Sequence, residues 1–424
     1  MGDELLTGDL GLRSWRDPSI VALALMAFAS GFGQGGAIAA LGDVARHFGH
    51  VVHGTTIADQ AGLSGTVLGV GLAVLRLASL GALPLAGLAD RLGRRALLLG
   101  TCSLGLVFTI LAAASPGYWW LVVIFALGRP LLSATNALAQ VSAAESTDFR
   151  NRAKAVALIA AGYGAGTGLT AVIHGLTKST LGFRGLFLLA VVPLGSIVFI
   201  RGRLVETGRF AVAAAAPRHP MPVFGAVGRA YRWRLLIVAS LAFAVAVVTG
   251  PANSFVFVYA QNVVKMSGDE IAAMVGVASI FGLGGLLLGQ VLADRLGRRP
   301  TGALAMTAMA LTGTLAYSGS RDALVVGYEL GVLAAATLAP AAGALANELF
   351  PTGVRASVAG WLVTASVAGA TVGLVAFGAI ADVGNRFAVG GAATFLPVIL
   401  AAGLFALLPE TKGREPEDLW PGTA

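Results

Sequence analysis

The sequence predicts an all-α membrane protein with twelve transmembrane helices in two pseudo-symmetric six-helix bundles. Composition is the first of three observations behind this prediction. Of the 424 residues, 56% are hydrophobic and only 12% are charged, and the mean hydropathy is +0.81. A soluble domain has about 25% charged residues, roughly twice this fraction. The composition is therefore typical of a polytopic membrane protein.

The second observation is an internal repeat. The octapeptide Leu-Ala-Asp-Arg-Leu-Gly-Arg-Arg occupies residues 88–95 and returns unchanged at residues 292–299, about half the chain length later. A repeat with this period indicates a duplicated chain. Three further pairs keep nearly the same offset: Glu145 and Glu348, Arg152 and Arg355, and Glu206 and Glu410.

The third observation is a set of apolar stretches that approach the roughly 20 residues needed for a transmembrane helix. They lie at about 20–45, 61–86, 96–115, 118–144, 154–178, 184–204, 234–260, 270–293, 301–319, 323–347, 355–380 and 388–408. Six fall in each half. The predicted domains are an N-terminal bundle over 1–205, a proline-containing cytoplasmic linker over 206–233, a C-terminal bundle over 234–409 and a cytoplasmic tail over 410–424.

The positions of the basic residues predict the topology. With a cytoplasmic N-terminus, 21 of the 29 Lys and Arg residues fall in cytoplasmic segments, six in outer segments and two within spans. This asymmetry fits the positive-inside rule. The acidic start of the chain is unlike a signal peptide, so the first span is expected to be retained. We expect a multi-pass protein of the inner or plasma membrane with both termini in the cytoplasm.

Sequence signals for other protein classes are weak. The single cysteine, Cys102, permits no intramolecular disulfide and no cysteine-based metal site. The glycines of residues 162–168 have the spacing of a phosphate loop, but no strand precedes them and no Gly-Lys-Ser/Thr follows. We expect them to allow close helix packing. The sequence therefore predicts no enzyme, no cofactor, no metal and, despite a net charge of +8, no nucleic-acid partner.

The repeated loop supports a family resemblance. Residues 87–95 are similar to the signature loop between spans 2 and 3 of the major facilitator superfamily, and the copy falls between spans 8 and 9. Residues 145–152 and 348–355 are similar to the loops after spans 4 and 10 of its sugar-porter branch and relatives, and Pro-Glu-Thr-Lys-Gly at 409–413 is similar to that branch's tail motif. The resemblance covers essentially the whole chain.

The resemblance implies that the cytoplasmic loops latch that side of the protein in one state and release it in the other. Opposite charges at the ends of neighbouring helices would form the latch. The residues of this conformational motif are Gly87, Asp90, Arg91, Gly93, Arg94, Arg95, Glu145, Arg152, Glu206, Arg209, Asp294, Gly297, Arg298, Arg299, Glu348, Arg355 and Glu410.

Charged and polar residues inside the spans are candidates for substrate and proton sites, because a buried charge needs a wet cavity or a partner. For Arg76, anion binding, a structural pair and proton coupling are all open. The proton-coupling candidates are Arg129, which matches an arginine common in span 4 of the family, Glu329 and Asp43. For Glu329 and Asp43, a position in water at the membrane interface is also open. The further substrate-contact candidates are Gln34, Asn136, Gln140, Asn253, Tyr259, Gln261 and Trp361.

Two departures from the family's branches bear on the substrate. The span 7 sequence at residues 251–255 lacks the sugar porters' Gln-Gln-x-Ser-Gly, which argues against a hexose. Span 5 lacks the proline of the drug/proton antiporters, which favours uptake. The sequence thus predicts a secondary transporter that carries a small organic solute, with an organic anion favoured, by rocker-switch alternating access and proton symport. The expected partners are the solute, protons and the lipid bilayer, and the expected functional unit is a monomer.

Two alternatives stay open at this point. One is a proton-coupled efflux antiporter for drugs or metabolites. The other, from a different class, is a membrane sensor built on a transporter-like fold.

Overall fold

The computed structural model describes residues 14–50, 52, 56–147, 151–205, 231–414 and 419–420, except for the side chains of residues 90, 91, 153, 178, 179, 352, 353 and 356. Helices joined by short turns make up most of this part. They are α1 (Pro18–Ala39), α2 (Leu41–Phe48), α3 (Ile57–Ala61), α4 (Gly65–Ala78), α5 (Ala82–Leu92), α6 (Arg94–Leu111), α7 (Tyr118–Ser146), α8 (Arg152–Leu188), α9 (Val191–Ile200), α10 (Arg232–Val258), α11 (Gly268–Arg295), α12 (Arg298–Ala316), α13 (Arg321–Glu348), α14 (Thr352–Gly384), α15 (Phe387–Phe395) and α16 (Val398–Ala402).

The helices account for the predicted spans. Eleven helical segments in the described ranges are long and apolar enough to cross a membrane. The remaining predicted span, 301–319, corresponds to α12, which has 19 residues. This helix begins with two arginines and contains four threonines, which lower its hydropathy. A helix therefore stands at each of the twelve predicted spans.

Several helix boundaries differ from the sequence-based ones. The first predicted span ends early, because α1 stops at Ala39 and the amphipathic α2 follows. The second is interrupted by a 3₁₀ turn, Ser79–Gly81, between α4 and α5. Helix α8 runs through the predicted boundary between spans 5 and 6, but its backbone is non-helical at Gly182, where φ is 56° and ψ is −169°. Glycine adopts this positive φ without the steric cost of a Cβ atom.

The chain divides into two compact units. The first comprises Met1–Ala40 and Ala78–Pro220, and the second comprises Leu41–Leu77 and Met221–Ala424. The segment with α2, α3 and α4 thus packs with the second half of the sequence, although it precedes most of the first. The predicted bundle boundaries at 205 and 234 stay a prediction.

Each unit has a central helix pair at an equivalent place in the duplication. In the first unit α1 packs most extensively on α8, and in the second α10 packs on α14. Glycines four residues apart allow the close approach in both pairs: Gly162 and Gly166 face the α1 backbone, and Gly369 and Gly373 face the α10 backbone. A Cβ atom at any of these four positions would collide with a backbone carbonyl. Small residues play this role in many membrane helix pairs.

Candidate functional site

A cavity of about 400 Å³ lies within the second unit. Its walls come from α4, α10, α13 and α14 and from the 3₁₀ segment Gly403–Leu407 that follows α16. Among the described residues that line it, Arg76 is the one charged side chain, and the hydroxyls of Thr249 and Ser366 are the other polar groups. The remaining lining residues are apolar.

Close packing of α4 on α14 places Arg76 in this wall. Gly65 lies against the backbone of Gly378, and a Cβ atom on Gly69 would collide with the Leu374 carbonyl. Because a helix has 3.6 residues per turn, Arg76 lies on nearly the same face as Gly69, two turns further along. The glycine contact with α14 therefore turns the arginine towards the cavity.

The cavity's composition defines what it can bind. A guanidinium donates up to five hydrogen bonds in a planar fork that matches a carboxylate. Apolar walls stabilise an apolar body by removing it from water, but they leave the hydroxyls of a polyol without hydrogen-bond partners, which is costly. The geometry fits a compact solute with an anionic head and an apolar body.

The first unit holds a separate polar cluster between α1, α7 and α8. Gln34 is 5% exposed, and its amide nitrogen donates to the Ser30 hydroxyl at 2.9 Å. The Tyr163 hydroxyl donates to the Gln34 carbonyl oxygen at 3.4 Å, and the Ser30 hydroxyl donates to the Leu132 carbonyl at 2.7 Å. These bonds join three helices and give Gln34 a structural role as well as a candidate binding role.

Helix α7 adds three polar residues to the first unit. Arg129 has Tyr163 as its electrostatic neighbour, and its Nε atom is buried without a hydrogen-bond partner among the described residues. Asn136 lies two turns along the same helix face. Its side-chain oxygen is also buried without a hydrogen-bond partner among the described residues. Gln140 is half-buried one further turn along. Buried polar atoms without partners are costly, which favours a ligand or water at this face.

Residues 259–263 form a π-helical turn that anchors the segment between α1 and α4. The Asn262 amide nitrogen donates to the carbonyls of Gly42 and Ala61, each at 3.0 Å. Arg46 donates to the Asn262 side chain and, at 2.7 Å, to the Gln261 carbonyl. The structure thus makes Asn262 a main contact, which the sequence reasoning missed although it named the adjacent Gln261.

Four second-unit candidates for substrate contact do not line the cavity. Tyr259 is buried in an aromatic cluster, with its ring centroid 5.1 Å from that of Tyr317. Gln261 is 3% exposed and packs against Gly42. Asn253 is exposed on α10, and Trp361 is 42% exposed on α14. Tyr259 and Gln261 are thus packing residues, and none of the four residues lines this cavity.

Two acidic proton-coupling candidates also lie away from the cavity. Glu329 is half-buried on α13, about 9 Å along the helix axis from Ala335, where that helix begins to line the cavity. Asp43 is half-buried in the first turn of the short helix α2. Proton coupling through either residue stays a prediction.

The conformational motif of the second unit forms a connected cluster. Arg298 pairs with Glu348 and Asp294, each at 3.5 Å. The Glu410 carboxylate accepts the backbone N–H groups of Arg298 at 2.9 Å and Arg299 at 3.1 Å, so it caps the start of α12. Such a cap satisfies backbone donors that have no partner within the helix.

Gly297 and the start of the C-terminal tail lie close to this cap. Gly297 has φ of 113°, and a Cβ there would lie 2.7 Å from a Glu410 oxygen. Lys412 donates to the Arg295 carbonyl at 2.6 Å, and Arg299 donates to the Phe405 carbonyl at 2.9 Å. Partial burial raises the pKa of Glu410, but four backbone N–H donors outweigh it and leave the pKa below its ordinary value.

The motif of the first unit shows the corresponding pairs. Arg94 forms an ion pair with Glu145, and both side chains are largely buried. Arg95 donates to the Arg201 carbonyl at 3.0 Å, and Arg152 donates to the Ala144 carbonyl at 2.9 Å. Arg355 in the second unit similarly donates to the Phe350 carbonyl at 2.9 Å.

The other motif residues are two glycines and four charged residues. Gly93 caps α5 with φ of 92°, and Gly87 lies in α5 with open space around it. The side chains of Asp90 and Arg91, and the whole of Glu206 and Arg209, lie outside the part of the chain that the structure describes. Their predicted contribution to the latch stays a prediction.

Comparison with known proteins gives one family. The family model described as the Major Facilitator Superfamily matches residues 23–291 and 253–421. A protein of Haemophilus influenzae named for metabolite transport is 26% identical over 344 residues, which cover 77% of this chain and 83% of that protein. The probable 4-methylmuconolactone transporter of Cupriavidus pinatubonensis is 26% identical over 347 residues, covering 78% and 79%.

Solved structures show the same fold. The nucleoside transporter NupG has a TM-score of 0.71 at 14% identity and covers 92% of this chain and 98% of its own. The inward open xylose transporter XylE from E. coli has a TM-score of 0.70 at 16% identity, covering 95% and 99%. The all-α fold class with twelve helices is confirmed.

Proposed function

Because this multi-pass integral membrane protein belongs to the Major Facilitator Superfamily, a family of transporters, we propose that it carries a small organic anion across the membrane. The proposed process is proton symport by rocker-switch alternating access, in an inner or plasma membrane with both termini in the cytoplasm and the monomer as the working unit. The single supporting observation is Arg76, the one charged residue among the described residues that line the second-unit cavity.

The cavity supports the choice of substrate class. Its volume of about 400 Å³ lies within the 300–1,000 Å³ common for small-molecule sites. Arg76 brings the positive charge of this otherwise apolar wall and favours an anionic head group, whereas Thr249 and Ser366 add only two hydroxyl partners. The names of the two relatives, for a metabolite transporter and a 4-methylmuconolactone transporter, also favour a small metabolite.

Alternating access needs contacts that exist in one state and break in the other. Under the predicted topology, the links of residues 41–77 to α14 and to the turn at 259–263 lie at the outer face. The Glu410 and Arg298 cluster lies at the cytoplasmic face. We propose that the outer links are formed in the conformer described here and break when the outer face opens.

The proton pathway uses groups outside the second-unit cavity. Arg129 lies beside Tyr163 in the first unit, and Glu329 and Asp43 are half-buried carboxyl groups in the second. A carboxyl group held in a low-dielectric site binds a proton more readily, which is the property that a symporter needs. Transport measured against pH in Glu329→Gln and Asp43→Asn would identify the carrier.

The test is thermal unfolding of the purified protein with matched panels of organic anions, neutral polar compounds and lipophilic cations. A ligand at 100 times its Kd stabilises the native state by about 2.7 kcal/mol and raises the melting temperature. We expect anions with an apolar body to stabilise the wild type. Arg76→Ala should weaken this binding about tenfold or more, since hydrogen bonds to charged groups contribute about 1.5–3 kcal/mol.

Arg414→Ala, an exposed tail arginine outside the cavity, is the matched control and should keep the wild-type response. Stabilisation by lipophilic cations alone, equal in both variants, would instead support the efflux antiporter. Ligand binding without flux in proteoliposomes would support the membrane sensor.

A further inference from the structure

A second cavity, of about 530 Å³, lies within the first unit and is unrelated to the Arg76 site. It runs along the first two-thirds of α1, the middle of α8 and the length of α9. Its walls include Leu25, Phe28 and Ile173, and its polar residues are Ser196 and Arg203. Because the Ser196 hydroxyl donates to the Pro193 carbonyl at 2.7 Å, it is already engaged within α9. We call this cavity the α1/α9 groove.

The α1/α9 groove opens sideways from the helices. Val192 is 65% exposed and Phe199 is 82% exposed, although both belong to the apolar segment Thr180–Ile200 that is long enough to cross a membrane. Leu25 and Leu169, on two other such segments, are more than 40% exposed. Apolar side chains exposed at this depth face hydrocarbon, so the groove is open to lipid chains.

Positive charge collects at one end of the groove. Arg203 lines that end, three residues beyond the end of α9, together with Pro18 at the start of α1. Arg201 lies two residues before Arg203, and Arg16 stacks over Trp15, 4.9 Å from the ring centroid. The described acidic residue beside them, Asp17, caps α1 by accepting from the Ser19 N–H at 2.9 Å and from its hydroxyl at 2.7 Å. The described residues of this end therefore have a net positive charge.

The groove is long enough to cross one leaflet. From Pro18 to Phe32, the lining residues of α1 span about 21 Å of helix. Half of a hydrocarbon core of about 30 Å is about 15 Å, so the groove crosses one leaflet from its basic end. The positive-inside rule places that end at the cytoplasmic leaflet, where anionic lipids attract basic side chains.

We propose that the α1/α9 groove binds one anionic phospholipid of the cytoplasmic leaflet. An acyl chain lies along α1 and α9, and the phosphate contacts Arg203, with Arg201 and Arg16 adding to the attraction. The bound lipid fills the space between α1 and α9. It thereby joins two helices of the first unit at their cytoplasmic ends.

The test uses the full chain, stripped of lipid in detergent and titrated with phosphatidylglycerol or with phosphatidylcholine of the same acyl chains. Native mass spectrometry counts the bound lipids. We expect the first phosphatidylglycerol to bind at least fivefold more tightly than phosphatidylcholine. Arg203→Gln should lower that ratio about fivefold, the factor for one basic residue near a charged surface, and Arg203→Lys should keep most of it.

Arg414→Gln removes the same charge from the tail and should keep the wild-type ratio. Glycerol 3-phosphate, which has the head group without acyl chains, should not bind measurably. Equal affinity for the two lipids, or equal ratios in Arg203→Gln and Arg414→Gln, would overturn the proposal. Displacement of the lipid by lipophilic cations with no head-group preference would also overturn it and indicate a drug site.

Discussion

The carboxylate of Asp382, at the end of α14, holds the first turn of α4 through Thr66. It accepts the Thr66 backbone N–H at 2.8 Å and the Thr66 hydroxyl at 2.6 Å, and its other oxygen accepts the Gly65 N–H at 2.7 Å. A helix N-terminus has unpaired N–H donors and a partial positive charge, so a carboxylate there is doubly favourable. One residue of the second half thus caps a helix of the first half.

We expect Asp382→Asn to loosen the outer contact and to make the covered residues below it more accessible. Hydrogen bonds to a charged group contribute about 1.5–3 kcal/mol, so the population of the open form should rise about tenfold. The buried Cys102 gives little background, so an introduced Ala61→Cys can be labelled with an impermeant maleimide. Labelling should be faster in the Asp382→Asn background.

The control for this measurement is Val52→Cys, which is 56% exposed and should be labelled at the same rate in both backgrounds. An unchanged Ala61→Cys rate would mean that Asp382 does not hold the outer face.

A substitution at Gly69 tests the packing of α4 on α14 that directs Arg76 to the cavity. Gly69→Ala places a Cβ against the Leu374 carbonyl, and overpacking of this kind typically costs about 1–3 kcal/mol. The melting temperature should fall. Gly164→Ala in α8, where the Cβ would meet open space, is the matched control and should be neutral or stabilising, since it restricts the unfolded chain. Equal effects would contradict the packing argument.

The ion pair of Arg94 and Glu145 should be measurable in a double-mutant cycle. With Arg94→Gln, Glu145→Gln and the double variant, we expect a coupling free energy of about 1 kcal/mol in unfolding experiments, since contacting residues are rarely additive. Arg184 donates to the Ala113 carbonyl at 2.8 Å, just after the end of α6 that is opposite Arg94, so Arg184→Gln and Glu145→Gln should be additive. A coupling free energy of zero would mean that the ion pair does not contribute to the cytoplasmic latch.

We expect the stability of the protein to depend on pH through the carboxyl group of Glu410. Since its folded pKa lies below the ordinary value of 4.5, its contribution is fully present above that value and is lost as the pH falls through the folded pKa. Glu410→Gln should melt at a lower temperature than wild type at pH 7. The difference should shrink below pH 4.5, which melting curves recorded across pH would show. A constant difference would mean that ionisation of Glu410 is unimportant.

Much of the fold follows from local sequence features. Helix-length apolar stretches and the repeated octapeptide predict twelve helices in a duplicated chain, because span length and a copied motif are both visible without tertiary contacts. Of the glycines of residues 162–168, Gly162 and Gly166 face α1 as the helix-packing interpretation expected, whereas Gly164 and Gly168 have open space around them. The sequence likewise identified Arg76, because a charge within an apolar span is conspicuous.

Other parts of the candidate site depend on partners distant in the chain. Asp382 and Asn262 are ordinary polar residues near helix ends, and only folding brings them to Thr66 and Gly42. Tyr259 and Gln261 had the polarity of substrate contacts but pack into the interior of the second unit.

The sequence by itself determined the class of this protein, its helices and the charged motifs of its loops, because each depends on composition or on a short repeated pattern. Tertiary structure decided which helix joins which unit. Residues 41–77 pack with the second unit because glycines at 65 and 69 let α4 touch α14, and because Asp382 and Asn262 satisfy polar groups of that segment. Such pairings depend on matched surfaces far apart in the chain, and this is why Arg76 of the first half lines a cavity of the second.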